Sequence, residues 1–250
     1  MSEPPFKTIA IAGLGLIGGS IALAVRERWP AMRVIGVDTD AVLAHALGSG
    51  AIDRAAGSIA ALPEADLLIL AAARTLPQPA TFVGGHPLGG GERGGFAFAR
   101  PDLFAGRPWI FTPDGERAPE ALARLLAFAT GLGARATTMD ATAHDWLMAY
   151  VSHLPQLTAS AVMAIVGGAA AGEGLCLAGK GLLDSTRLAS SPADVWRDIC
   201  ATNADVIGEA LDQLIERLTE LRADLERGDT VEATFADAAR WRAELMKGLE

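Results

Sequence analysis

The chain of 250 residues is half hydrophobic and one-fifth charged, a composition typical of a globular protein with a substantial core. Its formal charge of −9 argues against nucleic acid or an anionic membrane as a partner, because both are themselves negative. We therefore expect a soluble cytoplasmic protein, without an uninterrupted apolar run of the ~18 residues that span a bilayer. Two cysteines, Cys176 and Cys200, are too few for a disulfide framework or a metal site, and we expect buried thiols.

Strand-like and helix-like segments alternate at the start of the chain. Short apolar, β-branched runs predict strands at Thr8–Ala12, Arg33–Asp38 and Ala65–Ala73, the last apolar on both faces. Helices are predicted from Gly19 to Arg28 and over the stretch AVLAHALGSGA. This alternation predicts an α/β fold, a Rossmann-like doubly wound sheet.

The pattern changes beyond Phe82. A strand at Pro108–Pro113, an amphipathic helix and a short strand ending at Asp140 are followed by helical periodicity alone. We therefore predict a dinucleotide-binding domain over residues 1–140 and an all-helical substrate and dimerisation domain over residues 141–250. An apolar face on these helices could serve as a dimer surface, although packing within one chain would produce the same pattern.

A glycine fingerprint, G-x-G-x-x-G, lies between the first strand and the first helix. Gly13 would make the tight turn, Gly15 would let a pyrophosphate approach the backbone, and Gly18 would allow close helix packing. Asp38 ends the next strand, where it would bind both ribose hydroxyls and repel a 2′-phosphate, so NAD is favoured over NADP. The alternative is a glycine turn with a helix-capping aspartate. The candidate cofactor site comprises Gly13, Gly15, Leu16, Ile17, Gly18 and Asp38.

Two histidines lie in distinctive surroundings. His86 occurs in FVGGHPLGGGERGGF, a segment rich in glycine in which Glu92 follows six residues later. Histidine is the usual acceptor of a hydroxyl proton, although a lone histidine is more often an ordinary surface or core residue. His153, in YVSHLPQ, could equally be a histidine on a buried helix face.

In the C-terminal half of the chain, a serine-rich turn is flanked by several polar side chains and an indole. Arg187 could bind a carboxylate through both of its terminal nitrogens, and Trp196 follows in the same stretch. The alternative is structural: Ser191 would cap a helix, and Arg197 would pair with Asp198 at the surface.

Four of these stretches, GLGLIGGS, FVGGHPLGGGERGGF, SHLP and DSTRLASSPADVWRDI, occur in the order found in prephenate and arogenate dehydrogenases of tyrosine biosynthesis, which the chain resembles. The resemblance implies an NAD-dependent enzyme that oxidises a cyclohexadienol with loss of the ring carboxylate. It implies that His86 takes the proton of the ring hydroxyl and that Arg187 holds a substrate carboxylate. His153, Trp196 and Glu92 would line the same pocket, and the helical domain would form a homodimer. No metal is implied, nor a C-terminal regulatory domain.

The chain departs from this family in one place, because only seven residues separate Ala73 from Thr81. Relatives carry a helix, a further strand and a serine-lysine loop there, so the family's catalytic serine has no counterpart. Seven residues reach at most ~25 Å, so we expect either a bare extended link across the sheet or an antiparallel FVGG strand. The second course would carry His86 away from the glycine turn.

Three functions follow from these observations. The leading one is oxidative decarboxylation of prephenate to 4-hydroxyphenylpyruvate, or of arogenate to tyrosine, two substrates that the sequence does not distinguish. The loss of the serine-lysine loop supports a non-catalytic relative that binds a nucleotide or an aromatic metabolite. A third possibility is a dehydrogenase of the same two-domain plan that acts on another hydroxy acid.

Overall fold

A computed structural model describes residues 3–59, 65–71, 81–90, 93–114 and 119–248. The chain divides into two compact units, Met1–His144 and Asp145–Glu250. The first is built of strands and helices, and the second of helices.

The first unit begins with a four-stranded parallel sheet in the order β3-β2-β1-β4. Its strands are β1 (Thr8–Ala12), β2 (Arg33–Val37), β3 (Arg54–Ala55) and β4 (Leu67–Leu70), and its helices are α1 (Leu16–Arg28) and α2 (Asp40–Gly48). The central strand β1 is almost wholly buried, as expected for a parallel sheet covered on both faces. The predicted Rossmann-like α/β class is confirmed, and the short strand β3 was not predicted.

A second sheet of three strands follows in the same unit. It contains β5 (Val83–Pro87), β6 (Pro108–Pro113) and β7 (Arg135–Thr138), with α3 (Pro119–Gly131) between the last two. Strand β5 runs antiparallel to β6, whereas β6 and β7 are parallel. Among the described residues, β5 pairs only with β6 and β4 pairs only with β1, so the sheet is divided into two parts.

One hydrophobic core joins the two sheets. Ile9 and Ile11 of β1 belong to the same buried cluster as Trp109 and Phe111 of β6. Helix α1 also contacts the 3₁₀ turn Phe96–Phe98, which closes the glycine-rich stretch after β5. Among the described strands, side-chain packing rather than a continuous hydrogen-bond ladder therefore joins the second sheet to the first.

The division leaves a cavity of about 610 Å³ lined by residues of β4, β5, β6 and α3. The side chains of Leu67–Leu70 are only partly buried, although both faces of this strand are apolar. Phe82, just before β5, is 58% exposed. The edge strands β4 and β5 thus keep apolar surface that a further strand would cover.

The second unit contains helices separated by short turns, and its first helix begins at the end of the first unit. The helices are α4 (Ala141–Met148), α5 (Leu154–Ala169), α6 (Lys180–Ser185), α7 (Ala193–Thr202), α8 (Ala204–Ala223) and α9 (Asp229–Lys247). The break between α7 and α8 was not predicted. It lies at Asn203, which is buried and donates a side-chain hydrogen bond to the carbonyl oxygen of Asp145 at 2.8 Å.

One expectation about exposure needs correction. Cys176 is exposed and Cys200 is half-buried, so they are not the buried thiols that the sequence suggested.

The helical stretch Ala141–Ala169 is 29 residues long with a mean hydropathy of 1.2 in its most apolar window, enough by length and composition alone to cross a bilayer. Core helices of water-soluble proteins also meet this criterion.

Candidate functional site

The fingerprint glycines form a tight turn from β1 into α1. Gly13 has a φ of 91°, which favours glycine, and its N–H donates to the carbonyl oxygen of Val37 at 2.9 Å. A Cβ on Gly18 would overlap the carbonyl oxygen of Gly13. Gly18 is therefore required by the packing of the helix on its own turn, the role assigned to it from the sequence.

Gly15 is different, because a Cβ there would meet no protein atom within 4 Å. Its φ of −72° is also open to other residues, so the protein's own structure does not explain the glycine. Helix α1 starts at Leu16, and neither a side-chain cap nor an acidic residue occupies its first turn. Leu16 and Ile17 pack partly against the core. The helix start thus leaves space and backbone N–H groups for a phosphate, and these residues fit a dinucleotide.

Asp38 lies beside this turn, at the end of β2. One carboxylate oxygen accepts the N–H of Leu14 at 2.6 Å and the other accepts that of Thr39 at 2.7 Å. Helix α2 begins at Asp40 and has no side-chain cap, so Asp38 does not cap it as the alternative supposed. The carboxylate instead fastens the glycine turn, with a negative charge at the edge where a ribose would lie.

His86 lies on β5, paired with Ile110 of β6, and its side chain is exposed. Its Nδ1 lies 2.9 Å from Nε2 of His144 on α4, and the two rings meet edge to face with centroids 5.1 Å apart. His144 was missed from the sequence because nothing in its local pattern signals a partner 58 residues away.

The glycines next to His86 have a structural role that the sequence did not predict. A Cβ on Gly84 would overlap the hydroxyl of Thr112, and one on Gly85 would lie 3.2 Å from the ring of Phe111. Gly90, by contrast, has open space where a Cβ would lie. The first two glycines therefore let β5 pack against β6, and only the later part of the stretch offers room to a ligand. Glu92 lies outside the described residues.

The second unit holds His153 at a widened helical turn. Residues Ala149–His153 form a π-helical turn between α4 and α5, and Pro155 follows without an N–H to continue the regular ladder. The imidazole of His153 meets the indole of Trp196 edge to face, with centroids 5.9 Å apart. The structure thus brings these two predicted pocket residues together.

Arg187 begins a 3₁₀ turn, Arg187–Ser190, and is exposed. The buried side chain of Gln156, on α5, donates to the carbonyl oxygen of Leu188 at 2.7 Å and accepts from the hydroxyl of Ser191 at 3.1 Å. Gln156 therefore fixes the turn that carries Arg187. Its role was missed because nothing in the local pattern of YVSHLPQ signals a bond to a turn 32 residues later.

These bonds correct one structural alternative and support another. The hydroxyl of Ser191 contacts Gln156, and Pro192 rather than Ser191 is the cap position of α7. Arg197 and Asp198 do form an exposed ion pair, at 3.6 Å. Both arginines are exposed, but Arg197 pairs with Asp198, whereas Arg187 lies on the turn that Gln156 holds.

Known proteins match this chain over both of its units. Residues 71–138 match the nucleotide-binding domain of prephenate dehydrogenase, and residues 140–236 match the prephenate dehydrogenase dimerization domain. A prephenate dehydrogenase of Bacillus subtilis is 32% identical, over 89% of this chain and 71% of the relative. The chain belongs to the prephenate dehydrogenase family. A cyclohexadienyl dehydrogenase of Zymomonas mobilis is 29% identical over 96% of both chains.

Solved structures of a prephenate dehydrogenase and an arogenate dehydrogenase share the fold. The Aquifex aeolicus enzyme, in complex with hydroxyphenyl propionate and NAD⁺, superposes with a TM-score of 0.86 at 24% identity, over 98% of this chain and 99% of that one. Synechocystis arogenate dehydrogenase superposes with a TM-score of 0.76 at 23% identity, over 94% and 99%.

The family comparison also bears on the divided sheet. The alignment with the Zymomonas mobilis protein extends over 282 positions, more than the 250 residues of this chain. That relative therefore has residues without a counterpart here, which agrees with the internal shortening expected from the sequence.

Proposed function

We propose that the chain is an NAD-dependent dehydrogenase that oxidatively decarboxylates prephenate or arogenate. The observation that carries this proposal is the family match over most of the chain. The geometry of each unit supports it separately. The first holds a glycine turn suited to a dinucleotide and an exposed histidine. The second holds an arginine on a constrained turn and, on other elements, a histidine–tryptophan pair. We further propose residues 1–140 as the dinucleotide-binding domain and residues 141–250 as the substrate and dimerisation domain.

The first unit would bind the coenzyme. The N–H groups at the start of α1, with Gly13 and Gly15, would receive the pyrophosphate, while Asp38 would accept the ribose hydroxyls. The acidic side chains of Asp38 and the nearby Asp40 would repel a 2′-phosphate, so NAD rather than NADP is the expected coenzyme. Bound NAD would accept the hydride from the substrate's hydroxyl-bearing carbon.

His86 would move the proton of the reaction. As hydride leaves the hydroxyl-bearing carbon, the imidazole takes the hydroxyl proton. The bond between the ring and its carboxylate then breaks, CO₂ departs, and the electron pair of that bond makes the ring aromatic. The proton returns to the phenolate oxygen, so His86 is regenerated without net proton uptake.

The second unit would hold the substrate's carboxylate. Arg187 offers a planar guanidinium that can bind both oxygens at once, and Gln156 limits the movement of its turn. His153 and Trp196 would line the pocket, with Glu92 at its edge.

The family's dimerization domain supports a homodimer. Apolar side chains on different helices of the second unit are strongly exposed in the single chain, among them Ile165, Leu177 and Trp241. A second copy that covers such surface would give the apolar stretch Ala141–Ala169 a protein environment rather than a lipid one. A cytoplasmic location, without nucleic acid or membrane as a partner, agrees with the biosynthetic relatives.

The test is direct. Purified protein is mixed with NAD and prephenate, then with NAD and arogenate, and the absorbance of reduced nicotinamide is followed together with product and CO₂. Turnover of either substrate supports the proposal. A protein that binds NAD but turns over neither substrate contradicts it.

A second candidate function rests on the divided sheet. The break between β4 and β5 lies in the unit that would hold the coenzyme, and the shortened link lacks the family's serine-lysine loop. This favours a non-catalytic relative that binds a nucleotide or an aromatic metabolite, and the same assay separates it from an enzyme. A dehydrogenase for another hydroxy acid has less support, because His86, Arg187 and Trp196 are all retained.

A further inference from the structure

We propose that His144 is the positioning residue of His86, and that it selects the imidazole tautomer able to accept the substrate's proton. This inference rests on the proposed dehydrogenase function for its catalytic consequence, and on the geometry of the first unit for the pairing itself. His144 would act through His86, without contact to the substrate.

The pairing is specific in atoms and in angle. Nδ1 of His86 and Nε2 of His144 are 2.9 Å apart, an ordinary N–H···N hydrogen-bond length, and the ring planes are 70° apart. Only one hydrogen can lie between two neutral imidazole nitrogens. The two rings must therefore hold complementary tautomers, one donating and one accepting.

The framework that carries His144 is tied to the strand that carries His86. Asp140 caps the start of α4, since its side chain accepts the N–H of Ala143 at 3.1 Å and its carbonyl oxygen accepts that of His144 at 2.9 Å. Just before it, the N–H of Met139 donates to the carbonyl oxygen of Phe111 on β6, the strand that pairs with β5. Both imidazoles are thus fixed relative to one sheet.

The chemistry determines which tautomer is productive. A base that takes a hydroxyl proton through Nε2 must carry its own hydrogen on Nδ1. That hydrogen would be donated to Nε2 of His144, which accepts it when its own hydrogen is on Nδ1. When His86 takes the proton it becomes cationic, and the same hydrogen bond becomes charge-assisted and stronger. His144 therefore favours the acceptor form before the transfer and stabilises the cation after it.

The experiment compares His144→Phe, which removes the acceptor, with His144→Gln, whose side-chain oxygen can reach the position of Nε2. Turnover, the KM values for NAD and substrate, and the ¹⁵N resonances of the His86 ring are measured for both variants and for the unsubstituted protein. The control is His45→Phe, since the imidazole of His45 packs on the ring of Phe96.

We expect His144→Phe to lower kcat about 10- to 100-fold, the equivalent of one lost hydrogen bond to a charged group. Its KM for NAD should not change, and His144→Gln should recover most of the turnover. The His86 ring should shift away from the Nδ1–H tautomer in the phenylalanine variant only, and the unsubstituted protein should show scalar coupling between His86 Nδ1 and His144 Nε2.

The outcomes separate the two proposals. An inactive protein that still shows the coupling and the tautomer shift would refute the proposed function and support the pairing. If the protein is active and His144→Phe leaves its kcat unchanged, the positioning role is overturned. Equal losses in the phenylalanine and glutamine variants, with no tautomer change, would show a merely structural residue. If the phenylalanine variant does not fold, absence of the coupling in the unsubstituted protein overturns the pairing.

Discussion

The start of the first sheet and the junction between the two sheets are built in opposite ways. The turn from β1 into α1 comes from adjacent residues, and each of its glycines has a local reason or faces open space. At the junction, β4 and β5 each pair on one edge only within the part of the chain that the structure describes, and apolar side chains remain partly exposed around a cavity of about 610 Å³. A site that needs both regions depends on packing across the junction for its geometry.

Helix α1 is the element that connects the two regions. Its start forms the glycine turn, and the residues just after that start contact the segment that follows His86. A Cβ on Gly19 would lie 2.7 Å from the ring of Phe96, and the buried hydroxyl of Ser20 accepts the N–H of Arg100 at 3.0 Å. The divided sheet can therefore keep a defined arrangement, because the same helix contacts β1 of the first sheet and the segment that follows β5 of the second.

The largest effect is expected when the imidazole of His86, which lies on the second sheet, is removed. We expect His86→Asn to lower kcat by about 10²- to 10⁴-fold, the usual contribution of a positioned base, while the dissociation constant for NAD stays nearly unchanged. Steady-state rates and calorimetric titration with NAD measure the two effects. An unchanged rate would remove His86 from the mechanism.

Paired substitutions can distinguish the glycine of this turn that the fold requires from the glycine that coenzyme binding would require. Gly18→Ala should destabilise the first unit by about 1–3 kcal/mol, because its Cβ would overlap the carbonyl oxygen of Gly13. Gly15→Ala should leave the free energy of unfolding nearly unchanged but weaken NAD binding about tenfold, some 1.4 kcal/mol, because its methyl group would occupy open space at the helix start. Urea unfolding and NAD titration test both. Equal loss of stability in the two variants would mean that Gly15 is structural.

In the second unit, Gln156→Leu tests the support of Arg187. It should cost about 1–3 kcal/mol of stability, because the carbonyl of Leu188 and the hydroxyl of Ser191 lose a buried partner. The KM for substrate should rise while that for NAD stays constant. The matched control is Gln213→Leu, which removes an exposed amide bonded to Tyr150. A control that raises the substrate KM equally would contradict a specific role for Gln156.

The smallest effect is expected at Asp66, which ties β4 to the start of β1. Hydrogen bonds from the N–H groups of Lys7 and Thr8 lower the pKa of this carboxyl below its ordinary value of 3.8. Because the folded pKa is depressed, the stabilisation is complete above the ordinary pKa and is lost as the pH falls through the folded one.

Asp66→Asn should therefore slightly lower stability at neutral pH and reduce the loss of stability below pH 3.8. Unfolding measured at several pH values checks this. Parallel pH curves for the two proteins would show that the bonds to Lys7 and Thr8 are not formed in solution.

The sequence predicted what is encoded locally. The fingerprint glycines, strand β6 and the helical second half follow from short-range periodicity and turn chemistry, and the structure agrees closely with those predictions. Long-range pairings could not be predicted, because no local pattern connects His86 with His144 or Gln156 with Ser191. The division of the sheet was anticipated only as a shortage of residues between Ala73 and Thr81. The roles of the site residues stay predictions.

We propose that the shortened α/β unit presents His86 to the reacting carbon beside the coenzyme. A crystal structure of the protein with NAD and hydroxyphenyl propionate measures it. We expect Nε2 of His86 to lie within about 2.6–3.2 Å of the phenol oxygen, on the side of the ring that faces the nicotinamide. An imidazole at the sheet edge opposite the pyrophosphate, in each subunit of the assembly, would contradict it.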